Sequence, residues 1–261
     1  MSKLRNTSSG PTTGALRPLN ARSIALSILL GTHPPELPAR AFAAVAELFD
    51  VPAGTMRTAL SRLVASGDIE ALGGRYRLAG RHVERQGAQD AGRHAPTGDW
   101  DGRWHTIVTV DDQRDLADRR RFRSIMANHR FGELRPATWP RPATPGAPPA
   151  ETDWLVTTGP ITGTTPGDLA GRVWDLPGIA AEAHRLLDEM HERRRDRDWT
   201  DPASIPTLFT TSAAVVRFLR HEPLLPGELT PEDWPVDGVR TTYDGFEADH
   251  QRLLQRFLRG A

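Results

Sequence analysis

Two arginines and three hydroxyls share one short stretch of this chain. Thr55, Arg57, Thr58, Ser61 and Arg62 lie between Thr55 and Leu63, while Met56, Ala59, Leu60, Leu63 and Val64 recur at i, i+3, i+4, i+7 and i+8. The second set is the apolar stripe of a helix, and the first is its polar face. Compact hydroxyls and forked guanidiniums, with no acid among them, suit the major groove of duplex DNA, where arginine bonds bidentately to guanine or to backbone oxygens. Thr55 stands near the helix start, where free N–H groups and the positive dipole end favour a phosphate.

Any amphipathic helix has a wet side with such residues, so the flanking elements decide the reading. Ile24, Ala25, Ile28 and Leu29 form a first helical stripe that ends at Gly31 and Pro34-Pro35. Phe42, Val45, Ala46 and Phe49 form a second after Pro38, and Asp50 to Gly54 is a short turn into the third helix, which stops at Ser66-Gly67. Ile69 to Leu72 and Tyr76 to Leu78 then alternate around Gly73-Gly74, the signal of a tight hairpin that carries Arg75 and Arg77 toward DNA backbone or minor groove. Three helices and a hairpin predict a winged helix-turn-helix over 21–80, with Thr55–Leu63 as its recognition helix and double-stranded DNA as its partner.

Other residues admit other chemistry. Asp111-Asp112, at the end of the strand pattern Trp104 to Val110, have the donors to hold a magnesium ion for phosphodiester hydrolysis, which would make the middle of the chain a metal-dependent nuclease. Their ordinary role, opening a turn and capping the next helix, is the stronger reading, so neither an enzyme nor a bound metal or cofactor is expected. His184 and His191 lie seven apart without a third ligand nearby, and the run Glu192 to Asp198 reads as a solvated helix end. Trp104, Trp139 and Trp154 read as core rather than as an aromatic pocket. A winged-helix module that binds protein instead of DNA usually lacks arginine on its recognition face, and Arg57 and Arg62 argue against it.

With 261 residues the chain is long enough for two or three compact units, so a divided core is expected. Its zero net charge hides an asymmetry: through Gly98 twelve Lys/Arg face seven Asp/Glu, leaving +5 there and −5 in the remainder. A basic module joined to an acidic body fits a protein that grips phosphates at one end only. The absence of cysteine excludes disulfides, thiol catalysis and Cys-based zinc sites, and no apolar run approaches the length of a membrane span. A cytoplasmic location is the default.

Composition breaks set the expected boundaries: a flexible arm over 1–20, the winged helix over 21–80, a polar connector over 81–101, a central unit over 102–160 and a helical unit over 161–261. In the central unit, strand Trp104 to Val110, a basic helix from Asp115 to Asn128 and short strands at Phe131-Gly132, Ala137 to Trp139 and Trp154 to Thr158 suggest a ferredoxin-like half-unit. The proline-dense Arg141 to Ala150 predicts a loop. The last unit reads as helices Leu169 to Arg194, Ser212 to His221 and Asp244 to Leu258, with Glu222 to Pro235 an extended crossing segment. The fold class is therefore α+β.

These segments in this order resemble the PaaX-type transcriptional regulators, the phenylacetic acid degradation repressor family. The resemblance rests on Ala21-Arg22-Ser23-Ile24, Gly54 to Leu63, Asp101-Gly102-Arg103-Trp104, Trp174-Asp175-Leu176, Leu224 to Leu229 and Asp233-Trp234-Pro235. It implies a winged helix, a central ferredoxin-like domain similar to that of a CRISPR-associated nuclease, and a C-terminal helical domain. It also implies a homodimer that represses a catabolic operon and is released by an aryl-acyl-CoA effector. The short hairpin turn, the apolar Thr210 to Val216 and the prolines after Arg141 depart from that pattern, so effector-binding residues are not carried over.

Overall fold

Asn20 opens the first helix by accepting the Ser23 N–H at 2.9 Å, and Gly31 closes it, so the apolar stripe between them turns Ile24, Ala25, Ile28 and Leu29 inward. The computed structural model describes residues 20–32, 34–80, 82, 99–109, 116–144, 148, 154–196 and 200–260. Among these are eight α-helices and two three-stranded antiparallel sheets. The expected arm lies outside the described residues except for Asn20, as does most of the connector.

The N-terminal unit contains α1 (Ala21–Leu30), β1 (Glu36–Pro38), α2 (Ala39–Leu48), α3 (Ala53–Ala65), β2 (Ile69–Leu72) and β3 (Arg75–Leu78). Gly73 and Gly74 turn the β2–β3 hairpin with φ of 54° and 77°, a pair of left-handed residues that glycine adopts without a Cβ clash. Strand β1 is an addition to the expectation. It pairs antiparallel with β3, so the sheet order is β1-β3-β2. Three residues ending in proline are too few to alternate legibly, and Pro38 is tolerated because β1 is an edge strand. Ala39 at the start of α2 donates to Gly74 O at 3.0 Å and ties the hairpin turn to that helix.

Asp68 locks this unit from within. It is 2% exposed and accepts from Arg22 of α1 at 2.6 Å and from Ser66 at the end of α3, and it lies 2.7 Å from His82 Nε2 beyond β3. A carboxylate so deeply buried is stable only with such partners.

In the middle of the chain are β4 (Trp104–Thr109), α4 (Leu116–Asn128), β5 (Thr138–Pro142) and β6 (Trp154–Gly159). Phe122 of α4 meets Trp139 and Trp154 edge-to-face, each with ring centroids 5.5 Å apart, and packs with Ile107 and Met126 in one core. The sheet order is β5-β4-β6, with β5 and β6 each beside β4 and antiparallel to it. Phe131-Gly132 is not a strand, and β5 runs two residues into the proline-dense stretch. Thr109 and Ala143 donate to Ala137 O and Arg103 O, so the alternating Pro140 and Pro142 face away from β4 and need no N–H.

The C-terminal part holds α5 (Pro166–Val173), α6 (Leu176–Arg195), α7 (Ile205–His221) and α8 (Val236–Gly260), with 3₁₀ turns at Pro202–Ser204 and Gly227–Leu229. The single helix expected from Leu169 is two. Trp174 is extended, Asp175 caps α6 through the Gly178 N–H at 3.1 Å, and Pro177 takes the first turn. Helices α7 and α8 begin earlier than expected, and the crossing segment contains a 3₁₀ turn.

The buried side chains fall into three clusters. Buried residues of α1–α3 and of α6–α8 form one continuous cluster, in which Phe49 meets Phe209 edge-to-face at 5.4 Å. A second cluster lies between α4 and its sheet, and a third joins Trp104, Leu169, Leu225 and Leu229. Arg130, left-handed at φ 63°, reaches from the end of α4 to the carbonyls of Leu219 and Glu222. Glu222 is buried against Arg240 and Arg130, and burial pushes its carboxyl upward against the pull of both guanidiniums. Among the described residues no helix is long and apolar enough to cross a membrane.

Candidate nucleic-acid interface

Helix α3 is fixed by three buried side chains, Met56, Leu60 and Leu63, at 1%, 3% and 0% exposure. Their spacing dictates what faces outward. The turn before it is tight: Asp50 is left-handed at φ 52°, and the N–H groups of Thr55 and Met56 both reach Pro52 O, at 2.8 and 3.1 Å. Pro52 at the cap position has no side-chain oxygen to bond the first N–H groups of the helix, which leaves that end open to an anion. Val64 is 37% exposed, so the apolar stripe is narrower than expected.

The outward face forms a shallow open groove lined by Gly54, Arg57, Thr58, Ser61, Arg62 and Ala65. Four of the residues expected to read DNA thus meet on one surface, and Thr55 is exposed on the first turn. Thr58 Oγ1 donates to Gly54 O at 2.9 Å and Ser61 Oγ to Arg57 O at 3.0 Å. Both hydroxyls keep lone pairs for an incoming donor. Arg57 and Arg62 are exposed, and among the described residues neither guanidinium has a hydrogen-bond or ion-pair partner. Gly54, expected at the end of the turn before α3, belongs to the helix and lines the groove. A Cβ there would meet nothing within 4 Å, so the backbone at this point is open to close approach.

The hairpin arginines are arranged differently. Arg77 donates to Glu70 on β2 at 2.7 Å, and its register places it opposite Glu36 of β1 as well. The bonded Glu70 carboxylate holds the Arg77 guanidinium above its ordinary value. Arg75 donates to Glu36. Both arginines remain about half exposed, but each already has a carboxylate. Glu36 escaped notice because it lies 39 residues from Arg75 on a strand with no legible period.

The remaining candidates disperse. Asp111 and Asp112 lie outside the described residues, and among the described residues no group of three or more His, Asp or Glu is placed to hold a metal. His184 and His191 are exposed on α6. Trp104, Trp139 and Trp154 are all buried, at 1%, 7% and 7%, in packing roles.

The sequence profile described as PaaX-like protein matches residues 20–82, the span of the three helices and the hairpin. No curated protein sequence matches the chain. The solved structure of the uncharacterized protein Rv0674 from Mycobacterium tuberculosis is 34% identical, with a TM-score of 0.72, over 91% of this chain and 98% of that one. A similarity of that extent carries the likeness through the middle and C-terminal parts, beyond the profile match. The chain belongs to the PaaX-like protein family.

Proposed function

We propose that this protein is a transcriptional regulator that binds double-stranded DNA through a winged helix-turn-helix, with α3 as recognition helix and the β2–β3 hairpin as wing. One observation carries the reading: Arg57 and Arg62 stand on the outward face of a packed helix with no carboxylate among the described residues to occupy them. Holding two such cations side by side has its use where phosphates or guanine edges supply the missing acceptors. Thr55, Thr58 and Ser61 are small enough to let the backbone of α3 approach the groove floor. Family membership supports the regulatory role.

In this reading the protein acts in the cytoplasm as a homodimer that represses a catabolic operon. An acyl-CoA-type effector releases it. Two-fold symmetry would present two copies of α3 to half-sites about one helical turn apart. A mobility-shift assay on DNA flanking the protein's own gene, with and without aryl- and alkyl-CoA thioesters, tests both parts. A retarded band that a thioester abolishes is expected. A protein that binds no flanking DNA at physiological salt contradicts the regulator reading, and a band indifferent to every thioester contradicts the effector.

A further inference from the structure

The last three turns of α8 differ in charge from the rest of the helix: after Asp249 there is no acid, and Arg252, Arg256 and Arg259 follow at i, i+4 and i+7, on one face. Beside that face runs a trough made of two adjoining clefts that share Thr200, Leu253 and Arg256. Pro202, Leu253 and Phe257 give it apolar walls, and the arginines line its rim. The acid at its edge is Asp249, which already accepts from both Arg194 and Arg252. Arg256 and Arg259 have no ion-pair partner among the described residues. Cations at a helix C-terminus complement the dipole. That accounts for their charge but not for a cleft with an apolar wall beside them.

We infer that this trough binds a small organic phosphate, its phosphate held by Arg256 and Arg259 and its apolar portion set against Leu253 and Phe257. Guanidinium is the side chain best suited to bidentate contact with phosphate oxygens, and two of them in one cleft supply more donors than a lone surface arginine. The position is also connected. Glu247 and Gln251, on the turn before Arg252, sit against Gly31 at the end of α1, where an added methyl group would meet Gln251 Nε2 at 3.0 Å. One helix thus touches both the trough and the N-terminal unit.

Isothermal titration of the full chain with phenyl phosphate and with inorganic pyrophosphate tests the site without DNA present. Both probes should release binding heat. Arg256→Gln/Arg259→Gln should weaken both at least tenfold with an unchanged melting curve, and Arg259→Gln alone should act in the same direction should the double variant fold poorly. Phe257→Ser should weaken phenyl phosphate and spare pyrophosphate. Absence of heat from both probes, or unchanged affinity in the arginine variants, overturns the proposal. So does a wild-type protein that ignores both probes while the double variant loses duplex DNA affinity, which would assign these arginines to the DNA backbone.

Discussion

Helix α3 and the β2–β3 hairpin each present two exposed arginines from the same N-terminal unit, yet only those on α3 lack a partner. Arg57 and Arg62 meet no carboxylate among the described residues, whereas Arg75 and Arg77 face Glu36 and Glu70 across the sheet. Exposed ion pairs of the hairpin kind contribute little to stability, typically about 0–1 kcal/mol, so their main effect is to cancel charge. The comparison teaches that counting arginines overstates the electrostatic footprint. Attraction for phosphate should come from the helix, while the hairpin supplies shape.

The largest effect should come from removing what holds the helix in place. Leu63→Ala deletes a fully buried side chain under α3 and should lower stability by about 2–5 kcal/mol in a thermal or urea melt, with DNA binding lost only as the fold is lost. Arg57→Ala and Arg62→Ala should each reduce DNA affinity by about 1–3 kcal/mol and leave the melt within about 0.5 kcal/mol. Gly73→Ala forces a Cβ into a left-handed turn at φ 54° and should lower stability by about 1 kcal/mol, loosening the hairpin without touching charge. Smallest, and most diagnostic of the comparison, is Glu70→Gln. It frees Arg77 from its carboxylate, so affinity should rise by a few tenths of a kcal/mol and the salt dependence should steepen by up to about one unit of slope. A Glu70→Gln protein that binds more weakly would show that the pair itself shapes the contact surface.

How much of this was legible in advance follows from the range of the interactions. The helices α1–α3 and the Gly-Gly hairpin are written in local periodicity and turn chemistry, and the outward set Arg57, Thr58, Ser61 and Arg62 follows from the inward set by helix geometry alone. The pairing of Arg75 with Glu36 was hidden because it depends on β1, a three-residue element, packing beside β3, whereas that of Arg77 with Glu70 lies within the hairpin itself. The break between α5 and α6 was missed because Val173 and Leu176 keep helical spacing across it, and only Pro177 marks the new start. The early turns of α7 and α8 were obscured by Pro206 and Gly238, which propensity penalises but packing against the shared core overrides. That one core joins α1–α3 with α6–α8 could not be read from spacing at all, since it depends on contacts such as Phe49 with Phe209.

The central claim is that the unpaired arginines of α3, rather than the paired arginines of the hairpin, grip DNA. A fluorescence-anisotropy titration across a range of salt concentrations, on an operator-containing duplex, compares wild type with Arg57→Ala/Arg62→Ala and Arg75→Ala/Arg77→Ala. The helix pair should cost about 2–6 kcal/mol of affinity and flatten the salt slope by about two, while the hairpin pair should cost less than about 1 kcal/mol and change the slope little. Equal losses from the two pairs, or a larger loss from the hairpin pair, would contradict the account.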